Sequence, residues 1–342
     1  MSKPIRHLMY VLLVVFIVLS ACAPKLTPEP TAAEVEPTEA PTETALPTQE
    51  PTEEPTATPE PTPEPIVLTD DLGNEITLQG PARKIVSLSP SMTESLFALG
   101  AGDRIIARES NSTYPEEAQE IEDLGMIWEG LPIEKIVSLE PDLVVAAQII
   151  SPDQVQNLRD VGLTVFWQAN PADFPGLYEN LRQLAQLVGQ EEEAEDLISS
   201  LQERVAAVEG NVADVEEKPL VFYELDATDP SNPYTVGEGT FISYVIDKAG
   251  GENLGDALEG SYVQISSEEI IAQDPDYIIL GDAAYGITPE AVAVRPGWDQ
   301  LTAIREGRVL PIDDDLISLP GPRLVQGLEE MAKMIHPELF EK

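Results

Sequence analysis

One cysteine and two histidines are all that this 342-residue chain offers among the soft metal ligands. His7 lies in an amino-terminal leader, so the mature part keeps His336 alone. That scarcity argues against zinc or manganese sites built on clustered His and Cys, and a lone cysteine excludes an internal disulfide. A carboxylate-only calcium loop needs alternating acids closed by a glycine, and the run Asp313-Asp314-Asp315 lacks the alternation. No resident metal or cofactor is therefore expected. Bases are scarce too: 19 Lys and Arg face 62 Asp and Glu, for a net charge of −43. Such a field repels phosphate backbones, so nucleic acid is not an expected partner. Neither a Gly-x-Ser-x-Gly elbow nor a Gly-x-x-x-x-Gly-Lys phosphate loop is present. His336, in Met334-Ile335-His336-Pro337, reads as a structural residue at a helix end, where the dipole favours a cation. The chain does not read as an enzyme.

What is present begins with a leader over residues 1–22. Lys3 and Arg6 precede an apolar stretch, Tyr10 to Leu19, of about ten residues, which suits a signal-peptide core and is too short for a membrane span of about 20. It ends in Leu19-Ser20-Ala21-Cys22, which resembles a bacterial lipobox. The resemblance implies diacylglycerol on Cys22 and an extracytoplasmic, lipid-anchored protein; a plain secretory signal is the alternative. Residues 23–65 alternate Pro, Thr and Glu without an aromatic residue, and cannot bury enough apolar surface to offset their ordering entropy. They read as a disordered stalk reaching on the order of 100 Å at about 3.1 Å per residue in polyproline II.

The remainder, Ile66 to Lys342, carries about −36. Val67 to Leu78 reads as a hairpin turned at Asp70–Asn74. Strands are expected at Arg83–Leu88, Arg104–Ala107, Leu143–Ala147, Thr164–Trp167, Leu220–Leu225, Tyr277–Leu280 and Arg308–Ile312. Helical stretches lie between most of them, the pattern of parallel sheets covered by helices. Residues 173–212 differ. Leu177, Leu181, Leu184, Leu187 and Val188 keep helical spacing, and Leu197, Leu201, Val205 and Val208 resume it after Gly189. The predicted architecture is an N-terminal α/β lobe (66–172), a helical backbone (173–212) and a C-terminal α/β lobe (213–342), both lobes Rossmann-like.

An internal repeat supports two related lobes. Glu134-Lys135-Ile136-Val137-Ser138-Leu139-Glu140-Pro141-Asp142 and the following strand match Glu268-Glu269-Ile270-Ile271-Ala272-Gln273-Asp274-Pro275-Asp276 and its strand at an offset of 134. Both read as helix, acid-Pro-Asp turn and buried strand.

These blocks, with Lys84-Ile85-Val86-Ser87-Leu88-Ser89-Pro90-Ser91-Met92-Thr93-Glu94, Tyr114-Pro115-Glu116, Pro296-Gly297-Trp298 and Pro320-Gly321-Pro322-Arg323, resemble the class III substrate-binding proteins of ABC importers, from Ile66 to the C-terminus. That family carries cobalamin, ferric siderophores or haem. The resemblance implies two lobes on a rigid helix, a ligand in the cleft with small hinge motion, and a monomer that serves a permease and its ATPase. By resemblance to the family's cobalamin binder, Trp128 lies in the cleft, with Tyr262 at the matching position of the second lobe. An indole offers a flat apolar face and one donor, suited to the edge of a tetrapyrrole. Tyr114 and Asn111, after the second strand, and Asp314, as a rim acceptor, complete the candidate ligand set, while Trp167 reads as core. Glu134 and Glu268 match the glutamates that pair with permease arginines, with Glu269 an adjacent alternative. Two departures stand out: Ala147 replaces an aromatic, and Leu319 replaces the arginine of Ser-Arg-Pro-Gly-Pro-Arg. The ligand expected is a corrinoid, with a ferric siderophore or haem as the alternative. A surface adhesin or sensor accessory is the reading from another class.

Overall fold

A computed structural model describes residues 65–340. Cys22 and nearly all of the stalk lie outside those residues. The hairpin comes first: β1 (Ile66–Thr69) and β2 (Glu75–Leu78) pair antiparallel, Ile66 opposite Leu78. Asp70 closes its turn by accepting from the backbone N–H of Leu72 and Asn74 at 3.1 and 2.8 Å, an Asx turn. The hairpin is fastened to the first lobe where the Ala169 N–H donates to the Asp71 carboxylate at 2.8 Å.

The N-terminal sheet comprises β3 (Ile85–Ser87), β4 (Ile105–Arg108), β5 (Glu122–Asp123), β6 (Leu143–Ala147) and β7 (Val165–Gln168). It is parallel throughout, in the order β5-β4-β3-β6-β7. Its helices are α1 (Pro90–Ala98), α2 (Ile133–Ser138) and α3 (Pro152–Asp160). Buried on both faces, β6 is a continuous apolar run, Leu-Val-Val-Ala-Ala, as a covered parallel strand requires.

Residues 173–212 form two helices rather than one, α4 (Phe174–Val188) and α5 (Glu191–Val212). The break is Gly189 at φ 62°, where a Cβ would meet Pro81 at 2.8 Å, so a left-handed cap without a side chain is required there.

The C-terminal lobe contains β8 (Leu220–Glu224), β9 (Tyr234–Val236), β10 (Glu252–Asn253), β11 (Tyr262–Gln264), β12 (Tyr277–Leu280) and β13 (Val309–Pro311). Four of these form a parallel sheet in the order β10-β8-β12-β13, and β9 pairs antiparallel with β11 as a separate ribbon. The helices are α6 (Phe241–Lys248), α7 (Ser267–Gln273), α8 (Pro289–Ala293), α9 (Thr302–Arg305), α10 (Asp314–Ile317) and α11 (Leu324–Ile335). β4-β3-β6-β7 thus corresponds to β10-β8-β12-β13.

The repeat is visible in the backbone. Glu140 and Asp274, the acids before proline, both sit at φ 49°, the positive-φ non-glycine residues among those described. A proline disfavours the right-handed helical region in the residue before it, which ends the helix there. Asp142 then accepts from the backbone N–H of Arg83 and Lys84, each at 2.9 Å, and Asp276 accepts from that of Leu220 at 2.9 Å. Each turn therefore stitches its strand to the start of the neighbouring one.

Three apolar clusters hold the layers. One, under α2 and α3, contains Ile136, Val155, Leu158 and Trp167, so Trp167 is core, its indole N–H donating to the Ile150 carbonyl at 2.8 Å. A second, around Ile270, Val292, Trp298 and Leu301, covers the outer face of the other sheet. The third runs from Ile85 and Phe166 through Leu181, Ile198 and Leu201 to Tyr223, Ile279 and Leu328. One continuous core therefore joins both sheets through α4, α5 and α11.

Candidate functional site

Parallel α/β sheets present their loops, and with them polar groups, at the carboxyl ends of the strands. In the N-terminal lobe these ends carry hydroxyls. Thr93 Oγ1 lies 2.8 Å from Ser87 Oγ and 2.9 Å from Ser112 Oγ. Ser112 donates to Glu109 at 2.7 Å, and Ser89 and Ser91 meet at 2.9 Å. The buried Glu109 carboxylate also accepts from the Asn111 N–H at 2.9 Å, fixing the loop while the Asn111 side chain stays exposed.

The C-terminal lobe places charges instead. Glu224, the last residue of β8 and fully buried, is gripped on both carboxylate oxygens by Arg295, at 2.8 Å from Nη2 and in a second, shorter contact from Nη1. Arg295 lies over the Trp298 ring, 4.6 Å from its centroid. Asp282 follows β12; one carboxylate oxygen accepts from the Ala227 N–H at 3.0 Å, while the buried Oδ1 meets no donor. Burial and then the Glu224 charge push the Asp282 carboxyl up to about 6. The buried Tyr223 hydroxyl is also unpartnered. Gly281 is obligatory beneath it, because a Cβ there would lie 2.3 Å from that hydroxyl.

Two hollows open near these residues. One of about 530 Å³ is lined by Leu225, Asp226, Tyr234, Asp282, Tyr285 and Asp314 among others, with no Lys, Arg or His. Another, of about 450 Å³, is lined by Glu94, Phe97, Tyr114, Pro115, Pro322 and Arg323 among others. Here Arg323, preceding α11, crosses to α1: its N–H and Nε donate to Glu94 at 2.8 and 2.6 Å, and its guanidinium stacks 3.8 Å from the Tyr114 ring centroid. Burial pushes the Glu94 carboxyl up, against the pull of Arg323.

Of the residues expected from sequence, Asp314 lines the first hollow, where it accepts from Ser318, and Tyr114 lines the second, one face covered by Arg323. Burial raises Asp314, partly offset by that hydrogen bond. Trp128 and Tyr262 line neither hollow and stand 58% and 49% exposed, Trp128 on a single turn and Tyr262 on β11. They are related by the repeat offset of 134, each six residues before a glutamate at the second position of a helix, Glu134 in α2 and Glu268 in α7. Both glutamates are exposed. Glu269 differs, since its carboxylate accepts from Gln273 at 2.8 Å.

Sequence reasoning missed Asp226, Asp282, Tyr234 and Tyr285, together with the Glu224–Arg295 pair. A signal existed: Glu224 is a lone charge ending an apolar strand, and Arg295 is one of few bases. Among the described residues, no group of three or more His, Cys, Asp or Glu stands where it could hold a metal ion.

Residues 85–316, which span both parallel α/β lobes, match the model of the periplasmic binding protein family. The chain belongs to that family, to which its ABC-importer resemblance pointed. It is 33% identical over 282 residues to YvrC of Bacillus subtilis (strain 168), described as an uncharacterized ABC transporter substrate-binding lipoprotein, covering 81% of this chain and 87% of that protein. It is 31% identical over 274 residues to a cobalamin-binding protein of Halobacterium salinarum (strain ATCC 29341 / DSM 671 / R1), covering 78% and 73%. The structure of the periplasmic heme-binding protein RhuT from Roseiflexus sp. RS-1 superposes with a TM-score of 0.68 at 27% identity, covering 75% of this chain and 99% of that one.

Proposed function

We propose that this protein captures a corrinoid, cobalamin or a precursor, between its two lobes and delivers it, from a lipid anchor on Cys22, to an ABC permease. The observation that carries the reading is the pair of exposed rings, Trp128 and Tyr262, at repeat-equivalent positions of the two lobes. Large aromatic faces left in water at equivalent positions of the two lobes suit a flat, largely apolar ligand. The absence of any base around the 530 Å³ hollow favours a neutral corrinoid with amide side chains over a ligand bearing carboxylates. Similarity to a cobalamin-binding protein supports the same class.

Docking follows from the same repeat. Glu134 and Glu268 share one helix position, and an arginine fork on the permease would bind each carboxylate bidentately. Glu269 is already engaged within its helix, which favours Glu268.

Calorimetry of the protein with cobalamin, a hydroxamate siderophore and haem tests the ligand. Cobalamin should bind, and Trp128→Ala and Tyr262→Ala should each weaken it by tenfold or more, about 1.4 kcal/mol. Binding of the siderophore alone overturns the corrinoid. For the anchor, Cys22→Ser should appear in the soluble fraction with unchanged ligand affinity, since the acyl chains hold the native form to the membrane.

A further inference from the structure

The hollow beside β8 and β12 has a polarity that the general reading of a cleft does not require. Its titratable lining is acidic: Asp226, Asp282 and Asp314, with the phenols of Tyr234 and Tyr285. Two of the acids have local donors, Thr228 N–H on Asp226 at 2.7 Å and the Ser318 hydroxyl on Asp314. Asp282 differs. It is only 4% exposed, and its Oδ1 is left without a donor. A buried acceptor without a partner keeps its desolvation cost uncompensated, so it marks the place where a donor is missing. Behind it stands the fully buried Glu224, whose chain position is fixed because the Gly281 N–H donates to its carbonyl at 2.9 Å. Arg295 is spent on Glu224, and no base lines the hollow.

We propose that this hollow receives an N–H donor of the ligand, a primary carboxamide or an alkylammonium, and that Asp282, with Glu224 behind it, rejects ligands that present a carboxylate there. The inference rests on the cleft-binding reading and gives that site its selectivity. Three lining acids backed by a fourth make an acceptor-rich wall that a carboxamide satisfies through its NH₂ group. A carboxylate entering the same space meets like charge, which weakens binding strongly in a desolvated site. Tyr285, 81% exposed, and Tyr234 supply the apolar flank on which the carbon chain carrying the donor would lie. Raised as it is toward 6, Asp282 is nonetheless ionised at pH 7.5.

Small probes test this without assuming the whole ligand. Propionamide, propylammonium and propionate, at millimolar concentrations, are added to the full chain while the side-chain carboxyl ¹³C resonances of Asp226, Asp282 and Asp314 are followed. The amide and the ammonium should shift Asp282 saturably and propionate should not. Equal shifts with propionate, or no shift with any probe, overturn the proposal. Calorimetry then compares cobinamide, which carries amides, with cobyrinic acid, which carries carboxylates. The acid should bind on the order of 100-fold more weakly. In Asp282→Asn the amide keeps its oxygen on the Ala227 N–H and turns a donor toward the hollow, so that gap should narrow at least tenfold. An unchanged gap overturns the role of Asp282. If neither corrinoid binds, the corrinoid reading falls, and the small probes still decide the polarity of the hollow.

Discussion

At the carboxyl end of β3 the N-terminal lobe sets Ser87 among Thr93, Ser112 and the serines that open α1, a hydroxyl network closed on the buried Glu109 carboxylate. At the corresponding end of β8 the C-terminal lobe sets Glu224 against Arg295, with Asp282 beside it. Both lobes contain the same helix-turn-strand unit, yet at one end the buried carboxylate is met by hydroxyl and N–H donors and at the other a buried carboxylate oxygen is left without one. Hydroxyls rotate to satisfy one another, so the first end is complete within the protein. Charges cannot, and the second end keeps an oxygen and a phenol without partners. The incomplete end is the one proposed to receive the ligand's donor.

Removing one member of the buried pair breaks the contrast most severely. Arg295→Met should destabilise the protein by ~3–5 kcal/mol, read as a lower midpoint in urea unfolding, because Glu224 is left as an unpaired buried charge. Adding Glu224→Leu to it should restore most of the loss; no recovery would mean that packing over Trp298, not charge, is what Arg295 supplies.

Asp282 sharpens the contrast through pH. Its folded carboxyl titrates near 6, above the ordinary 3.8, so the folded state holds the proton more tightly between about 4 and 6. Stability must then fall as pH rises through that window. Asp282→Asn should flatten the decline and add ~1–2 kcal/mol at pH 7, since a tenfold difference in proton affinity between folded and unfolded chains is worth about 1.4 kcal/mol. Glu94 and Asp314, raised as well, should leave a residual slope. An unaltered profile would show that Asp282 is not the group responsible.

In the N-terminal lobe the same kind of insult should matter less. Thr93→Val leaves Ser87 and Ser112 able to turn to other acceptors and should cost about 1 kcal/mol in thermal or urea unfolding. A loss above that of Arg295→Met would reverse the comparison. Smallest of all, Glu134→Arg with Glu268→Arg changes two exposed residues and should move stability by less than ~0.5 kcal/mol, while abolishing uptake at equal protein level.

Much of this was legible from residue order. The acid-Pro-Asp turns announce the repeat because proline dictates the backbone before it, and period and length separate the apolar strands from α4 and α5. The strands β9 and β11 escaped because three residues after Pro233 carry too little pattern. Of the candidate site, Trp128 and Tyr262 could be named only by resemblance to the family's cobalamin binder. The Asp282 environment could not, since β8, β12 and the Arg295 turn meet only after the sheet has formed. Arg323 on Tyr114 is a similar case: the contact joins residues from opposite ends of the domain.

The tie from Glu94 to Arg323 spans 229 residues. A chain emerging amino end first completes β3, α1 and their neighbours long before Arg323 exists. Until then, burying the Glu94 carboxyl carries its desolvation cost without return, so α1 should remain loosely seated on its sheet. Arrival of Arg323 should lock it. Translation or export halted before Arg323 should thus leave a protease-sensitive N-terminal lobe, so a contact spanning 229 residues would set when α1 becomes rigid.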